Sequence, residues 1–228
     1  MATSRTRSSA STKTSPAPTK APPKSASKAL EHRGFETPRA FDLWLANEHA
    51  RSPGIWLVIA KKESGKRSIT YAEALEVALV WGWIDGQKAS KDETEWLQKF
   101  TPRGKKSIWS KVNREKVEAL IAEGRMKPSG LEVVRAAKAD GRWDAAYDSP
   151  SRATVPDDLA AALAAEPRAA AFFGSLDATN RYAVLHRVHT AKKAETRAAR
   201  IRTFVEMLAR GEAIYPDRLK KTGTKAKA

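Results

Sequence analysis

The chain has 228 residues, of which 41% are hydrophobic, 30% are charged and none is cysteine. The apolar fraction is sufficient for a folded core, and the length suits one large domain or two small ones. The lack of cysteine excludes a disulfide framework, thiolate metal sites and a cysteine nucleophile, and it suits a reducing compartment. We therefore expect a cytoplasmic protein.

The net charge of +16 is concentrated at the two ends of the chain. Residues 1–30 contain six basic side chains and no acid, and residues 217–228 contain five basic side chains and one acid. Residues 1–33 are mostly Ser, Thr, Ala, Pro and Lys, so they cannot bury enough apolar surface to offset the entropy of ordering. We predict disordered basic tails over 1–33 and 217–228. No secretory signal and no membrane insertion are expected, because no long apolar run occurs.

The N-terminal half mixes helix and strand signals. A helix start is predicted at Thr37-Pro38, and a capping box at 70–73 predicts a second helix. The apolar, β-branched run Ile55–Ala60 predicts a buried strand. Residues 83–84 and 95–100 are two further strand candidates. Together they predict an α+β domain with a short sheet over 34–147.

The C-terminal half has helical periodicity almost throughout. A linker is expected at 148–155. After it, Pro156 and Pro167 indicate two helix starts, and Asp177 is placed to cap a third helix. A last helix has apolar residues at core spacing and ends at Gly211. The fold class is therefore α+β: a small mixed N-terminal half followed by a mainly helical module over 155–211, made of four short helices.

Several contiguous strings carry a family resemblance. They are GIWLVIAKK at 54–62, WGWIDG at 81–86 and FTPRGKKSIWSKVN at 100–113 in the N-terminal half, with VPDDLAAAL at 155–163 and NRYAVLHRVHTAKKAETRAARI at 180–201 in the C-terminal half. They resemble the bacterial YdeI/OmpD-associated family, also called bacteriocin-protection proteins. The resemblance extends over nearly everything between Phe35 and Pro216.

This resemblance implies a contribution to tolerance of bacteriocins or antimicrobial peptides. It implies no reaction and no catalytic residue. The sequence has no phosphate-loop motif, no nucleophile elbow and no zinc-protease motif. We therefore expect a non-catalytic protein without a cofactor, whose partner is an unknown small-molecule or peptide ligand.

The segment from residue 81 to residue 111 is the best candidate for a binding site, because it combines indole rings with fixed charges and turn residues. Asp85 lies between Trp83 and Gly86, where a carboxylate with a raised pKa could bind a cation or act as a base. It could equally be a turn residue that caps its own backbone. The candidate ligand-binding residues are Trp81, Trp83, Asp85, Arg103, Trp109 and Lys111.

Arg103 could hold a phosphate or carboxylate through two parallel hydrogen bonds, with Trp109 covering an apolar part of the ligand. The alternative is structural. In that case Arg103 would pair with Asp85 or Glu95, and Trp109 would belong to the core.

A basic cluster follows at 192–202. Residues 181–210 contain eight basic and two acidic side chains. This excess of positive charge predicts a surface that attracts nucleic acid or another anion. The basic tails are expected to bind nucleic-acid phosphates without sequence preference. A solvated helix face is the alternative. The candidate nucleic-acid or anion-binding residues are Lys192, Lys193, Arg197 and Arg200.

His186 and His189 are three residues apart on a predicted helix and could share one face. A metal site needs more ligands than this pair supplies, and no acid or third histidine stands at a familiar spacing. No metal is therefore predicted.

Overall fold

The computed structural model describes residues 29–222 of the chain, and the side chains of residues 29–219. Its N-terminal half contains a four-stranded sheet with the strand order β1-β2-β4-β3. The outer strand β1 is parallel to β2, and the other two pairs are antiparallel. The strands are β1 at Glu31–Gly34, β2 at Ile55–Ala60, β3 at Trp83–Ser90 and β4 at Glu95–Pro102.

Two helices with capped starts cover one face of this sheet. Helix α1, Pro38–Glu48, has Thr37 as its N-cap, and helix α2, Tyr71–Val80, begins with the predicted capping box. The strand predicted at Ile55–Ala60 is confirmed as β2. Its burial alternates along the strand, so it buries one face of the sheet rather than both.

Strands β3 and β4 form a hairpin that is longer than the sequence predicted. β3 continues from residue 84 to Ser90 through a register shift between Asp85 and Lys88. The buried Gln98 side chain donates to the carbonyl of Gly86, 2.9 Å away, at this irregularity. The outer half of β3 is exposed and polar, so it lacks the apolar alternation by which a strand is detected in a sequence.

Helices α3, Lys111–Ala122, and α4, Pro128–Ala139, complete the N-terminal core. Val117 and Leu120 of α3 and Val134 of α4 are buried in the same cluster as the sheet residues. The N-terminal half therefore has one continuous hydrophobic core.

The C-terminal half has a second core built by four helices, as predicted. They are α5 at Asp157–Ala164, α6 at Pro167–Ser175, α7 at Ala178–His189 and α8 at Ala194–Ala209. Leu159, Phe173, Val188 and Leu208 are among the residues buried there. The predicted α+β class is therefore confirmed: a sheet in the N-terminal half, and mainly helices after it.

Parts of the predicted tails are ordered, which corrects the sequence analysis. Residues 31–33, assigned to the tail 1–33, form β1 together with Gly34, because their backbone pairs with β2 although all four residues are exposed. Residues 217–222, assigned to the tail 217–228, belong to helix α9, Pro216–Thr222. Residues 1–28 and 223–228 lie outside the described residues. The domain boundaries at 34–147 and 155–211 stay a prediction.

Candidate functional site

A cleft lies where the helical module meets the end of the N-terminal half. It consists of two cavities, of about 100 Å³ and about 330 Å³, that share Tyr147 and His189 as wall residues. We call them the first and the second cavity, and together the junction cleft. The first is also lined by Asp148, Ala153, Thr154, Pro156, Tyr182, Leu185 and His186. The second is also lined by Ile108, Asp140, Gly141, Arg142, Ala145, Thr190, Ala191 and Lys192.

Tyr147 is held in place by its backbone. Its N–H donates to the carbonyl of Trp109 at 2.9 Å, and its carbonyl accepts from the N–H of Lys111 at 2.8 Å. Its ring meets the ring of His186 edge to face, with centroids 4.8 Å apart. Tyr147 therefore belongs to the N-terminal half by its backbone and contacts the helical module by its side chain.

Helix α7 supplies the opposite wall. Tyr182, His186 and His189 are four and three residues apart, so they lie along one side of the helix. The Tyr182 hydroxyl donates to the carbonyl of Asp148 at 2.9 Å. Burial raises the pKa of Tyr182 to about 12. Burial also lowers the pKa of His186, so both side chains are neutral near pH 7.

An ion pair borders the first cavity. The ammonium of Lys111 donates to the carboxylate of Asp148 at 2.8 Å, and both side chains are partly exposed. Lys111 was predicted to bind a ligand, and the structure places it beside the junction cleft through this pair. Asp148 was not singled out in the sequence.

Basic side chains gather around the second cavity. Arg142 is only 7% exposed, and its Nε donates to both carboxylate oxygens of Asp140, at 2.7 and 2.9 Å. Its Nη1 donates to the carbonyl of Ser107 at 2.9 Å. The hydrogen bond from Arg142 lowers the pKa of Asp140, and the charge of Lys192 adds to this effect. The cavity wall therefore carries two cations and one anion.

Arg103 is connected to that wall through Ile108. It is 8% exposed, and its guanidinium carbon is 3.7 Å from the centroid of the Trp109 ring. Its Nη1 donates to the carbonyl of Ile108 at 2.9 Å, whereas no described protein atom accepts from its Nε or Nη2. Burial lowers the pKa of Arg103 to about 10, although the charges of Tyr147 and Asp85 act in the opposite direction.

Asp85 approaches the same group of residues from the sheet. It pairs with Phe100 across the β3–β4 ladder, and its carboxylate accepts from the Tyr71 hydroxyl at 2.9 Å. Burial raises the pKa of Tyr147, and Asp85 raises it further, whereas Arg103 lowers it. The structure thus brings Asp85, Arg103 and Trp109 close to Tyr147.

Trp81 and Trp83 belong to a different cluster, around His49. The Trp81 indole nitrogen donates to Asp42 at 2.7 Å, and its ring lies 4.6 Å from the His49 ring. The Trp83 indole nitrogen donates to the His49 carbonyl at 3.2 Å, and Trp83 is 1% exposed. Neither lines the junction cleft, and Trp109, 2% exposed, is also in the core. A ligand-binding role for the six candidates stays a prediction.

The basic cluster on the helical module is partly engaged in internal contacts. Arg197 donates to both carboxylate oxygens of Asp158 and to the Val188 carbonyl. Arg200 donates to the Arg187 carbonyl at the end of α7. Lys192 and Lys193 are exposed at the start of α8, and Lys192 lines the second cavity. Binding of nucleic acid by these residues and by the tails stays a prediction.

The residues that shape the cleft most were not recognised as site residues in the sequence: Tyr147, Asp148, Tyr182 and Arg142. A signal was present on α7, where Tyr182, His186 and His189 form a polar-aromatic stripe at helical spacing, but the histidines were considered only as a metal pair.

Among residues 29–222, no group of three or more His, Asp or Glu side chains could hold a metal ion. None of the helices in that range is long and apolar enough to cross a membrane.

Comparison with known families separates the two halves. Residues 152–211 match the family described as bacteriocin-protection, YdeI or OmpD-associated. The helical module is a domain of that family. Residues 33–133 match a separate family, a domain of unknown function, DUF8412. No curated protein and no solved structure matches the chain.

This match confirms the suspected family through residues 152–211, whereas the N-terminal half, to which the resemblance was also extended, matches the separate family. The match begins at residue 152 and includes Tyr182, His186 and His189. Tyr147 and Asp148 lie between the two matched segments. The junction cleft therefore joins the bacteriocin-protection domain to residues between the two matched segments and to Ile108 of the N-terminal match.

Proposed function

We propose that this is a non-catalytic cytoplasmic protein that contributes to bacteriocin or antimicrobial-peptide tolerance by binding a small ligand in the junction cleft. The bacteriocin-protection domain supports the tolerance role. The absence of cysteine from the sequence supports a reducing compartment.

The observation that carries the proposal is the position of Tyr147. Its side chain forms a wall of both cavities and contacts His186 of the bacteriocin-protection domain. Ligand sites are typically concave, largely apolar or aromatic, and located between domains, with a few polar groups that fix orientation. The junction cleft has this composition, and its second cavity, of about 330 Å³, is large enough for a small molecule.

A binding role is favoured over catalysis because polar groups of the first cavity already have partners. The Tyr182 hydroxyl donates to a backbone carbonyl, and the Asp148 carboxylate pairs with Lys111. The side chain of His186 is packed between the rings of Tyr147 and Tyr182. The partners of Tyr182 and Asp148 hold these two side chains in fixed orientations, which suits recognition of a ligand.

Direct capture of cationic peptides is disfavoured by charge. The chain carries +16, so its overall field repels a cationic peptide instead of attracting it. We therefore propose an indirect route, in which the ligand is a small molecule and tolerance depends on its binding.

The test compares two tryptophan substitutions in the full chain. Ala145 is exposed and lines the second cavity, so Ala145→Trp would fill the cavity mouth with an indole ring. Ala136 is an exposed alanine on α4 outside both cavities, so Ala136→Trp is the matched control. A strain lacking the gene is complemented with each version, and survival is measured against a bacteriocin series.

We expect wild type and Ala136→Trp to restore survival, and Ala145→Trp to lose it at equal protein abundance. Equal survival with both tryptophan variants would contradict the role of the cleft. Equal survival with and without the gene would contradict the tolerance role itself. Cell fractionation checks the proposed compartment, since recovery outside the cytoplasm would contradict it.

A further inference from the structure

The second cavity differs from the first in its charges. Two basic side chains, Arg142 and Lys192, line it, and a third, Arg103, donates to the carbonyl of the lining residue Ile108. The acid on the wall is Asp140, whose two carboxylate oxygens already accept from Arg142. The local balance is therefore positive even after this ion pair is counted.

Arg103 is the unusual member of this group. A buried charge is normally paired with an opposite charge or fully hydrogen-bonded, because its desolvation costs free energy. Arg103 has the face of Trp109 on one side and one carbonyl acceptor, that of Ile108. Its Nε and Nη2 are buried and have no acceptor among the residues that the structure describes, although they present the two parallel donors that suit an oxyanion.

Two residues that line the second cavity interact with Arg103. Ile108, whose carbonyl binds the Arg103 guanidinium, lines the second cavity and is 41% exposed. Tyr147 also lines the cavity, and its hydroxyl is close enough to influence the ionisation of Arg103.

The rest of the second cavity is suited to an apolar part of a ligand. Its lining includes Ile108, Ala145 and Ala191, together with the ring of Tyr147. A ligand with a charged end and a compact apolar or aromatic body would place these two parts against matching walls.

We propose that the second cavity binds a small organic oxyanion, a carboxylate or phosphate monoester, with Arg103 and Lys192 as its charge partners. This inference rests on the proposed function of the junction cleft and names the chemistry of its ligand. Nucleic acid is the less suitable occupant, because two of the three cations are more than nine-tenths buried and a polymer backbone needs exposed ones.

The test uses the full chain labelled with ¹⁵N-arginine and observes the Nε–H resonances by NMR. The probes are phenyl phosphate and benzoate, and phenol is the neutral control of the same shape. We expect the Arg103 Nε–H resonance to shift saturably with both anions and not with phenol. Arg103→Gln assigns the resonance, and Arg103→Lys retains the charge without the paired donors.

A matched pair of lysines keeps the test decisive if the Arg103 variants fail to fold. Lys192 and Lys193 are adjacent, exposed and equally charged, but only Lys192 lines the cavity. Lys192→Ala should weaken phenyl phosphate binding about two- to five-fold, the range of a partly exposed ion pair. Lys193→Ala should leave the affinity unchanged.

Equal weakening by the two lysine variants, or no saturable shift of Arg103, would overturn the proposal. Binding of a short DNA duplex that is lost equally in both lysine variants, with no response to either small anion, would favour a nucleic-acid surface instead. If Ala145→Trp abolishes bacteriocin tolerance while no anion affects Arg103, the cleft keeps its proposed function and only the ligand chemistry is wrong.

Discussion

Gly130 packs directly against the backbone of Val80. A Cβ atom at position 130 would lie 2.3 Å from the Val80 carbonyl oxygen, closer than any real Cβ contact. The same oxygen accepts from the Lys127 N–H at 3.1 Å. The start of α4 is thereby fixed to the end of α2, and the backbone leaves no room for a side chain between them.

Gly130→Ala should therefore destabilise the fold even though alanine is a better helix former than glycine. We expect a loss of about 3 kcal/mol in the free energy of unfolding, typical of overpacking. Gly174 is the control, because it also lies in a helix and a Cβ there meets nothing within 4 Å. Gly174→Ala should stabilise by about 0.5–1 kcal/mol. Urea denaturation of both variants checks the pair, and a shift of the same sign in both would contradict the close packing.

His186 should make the stability of the protein depend on pH. Its pKa is lowered by burial and by the neighbouring His189 and Arg187, and it faces the neutral rings of Tyr147 and Tyr182. The unfolded chain therefore binds a proton at this residue before the folded chain does. Stability is retained above the ordinary histidine pKa of about 6.5 and falls as the pH drops below it.

The measurement compares wild type with His186→Gln at about pH 7.5 and about pH 5.5, on either side of the ordinary histidine pKa. The difference between the two proteins removes the contribution of all other titrating groups. Wild type should lose more stability than the variant on acidification. An NMR titration of the His186 ring that gives a pKa at or above the ordinary value would refute the explanation.

The two hydrophobic cores offer a test of the predicted domain boundaries. Leu159 is fully buried in the core of the helical module, so Leu159→Ala should cost about 2–5 kcal/mol. The seven tryptophans all lie between residues 44 and 143, so indole fluorescence reports only on the N-terminal half. If 155–211 folds as its own domain, Leu159→Ala lowers the denaturation midpoint seen by helical circular dichroism and leaves the fluorescence midpoint unchanged.

Leu45→Ala is the matched change in the other core, where Leu45 is also fully buried. It should lower the fluorescence midpoint. Coincident shifts of both probes in the Leu159 variant would mean that the two halves unfold as one cooperative unit, and the boundaries would be wrong.

The parts of the fold that could be predicted from the sequence are those fixed by interactions between residues close together along the chain. The capping box at Thr70, the N-cap at Thr37 and the proline that begins α6 each act within one helical turn. Strand β1 could not be predicted in this way, because Glu31–Gly34 is exposed and is held by backbone pairing with residues more than twenty positions away. The sequence of β1 has no apolar pattern that would predict its pairing with β2.

The same limit applies to the candidate site. Asp85, Arg103 and Trp109 were identified because they lie in one unusual segment, and the structure places them near Tyr147. The cleft itself depends on contacts such as Tyr147 with His186 and Asp148 with Tyr182, which join residues more than thirty positions apart. Trp81 and Trp83 lie in the same unusual segment and were identified for the same reason. In the structure, however, the start of β3 and the turn before it place both indole rings against His49.

The outer position of β1 determines where the chain can be shortened. A fragment that begins at residue 34, the boundary that composition suggests, would lose residues 31–33 and leave one side of β2 almost without its parallel neighbour. β2 is the apolar, β-branched segment IWLVIA, and such a segment with open backbone donors and acceptors recruits other chains. A soluble fragment should begin no later than residue 29, so that it keeps β1, the short strand that covers the aggregation-prone edge of β2.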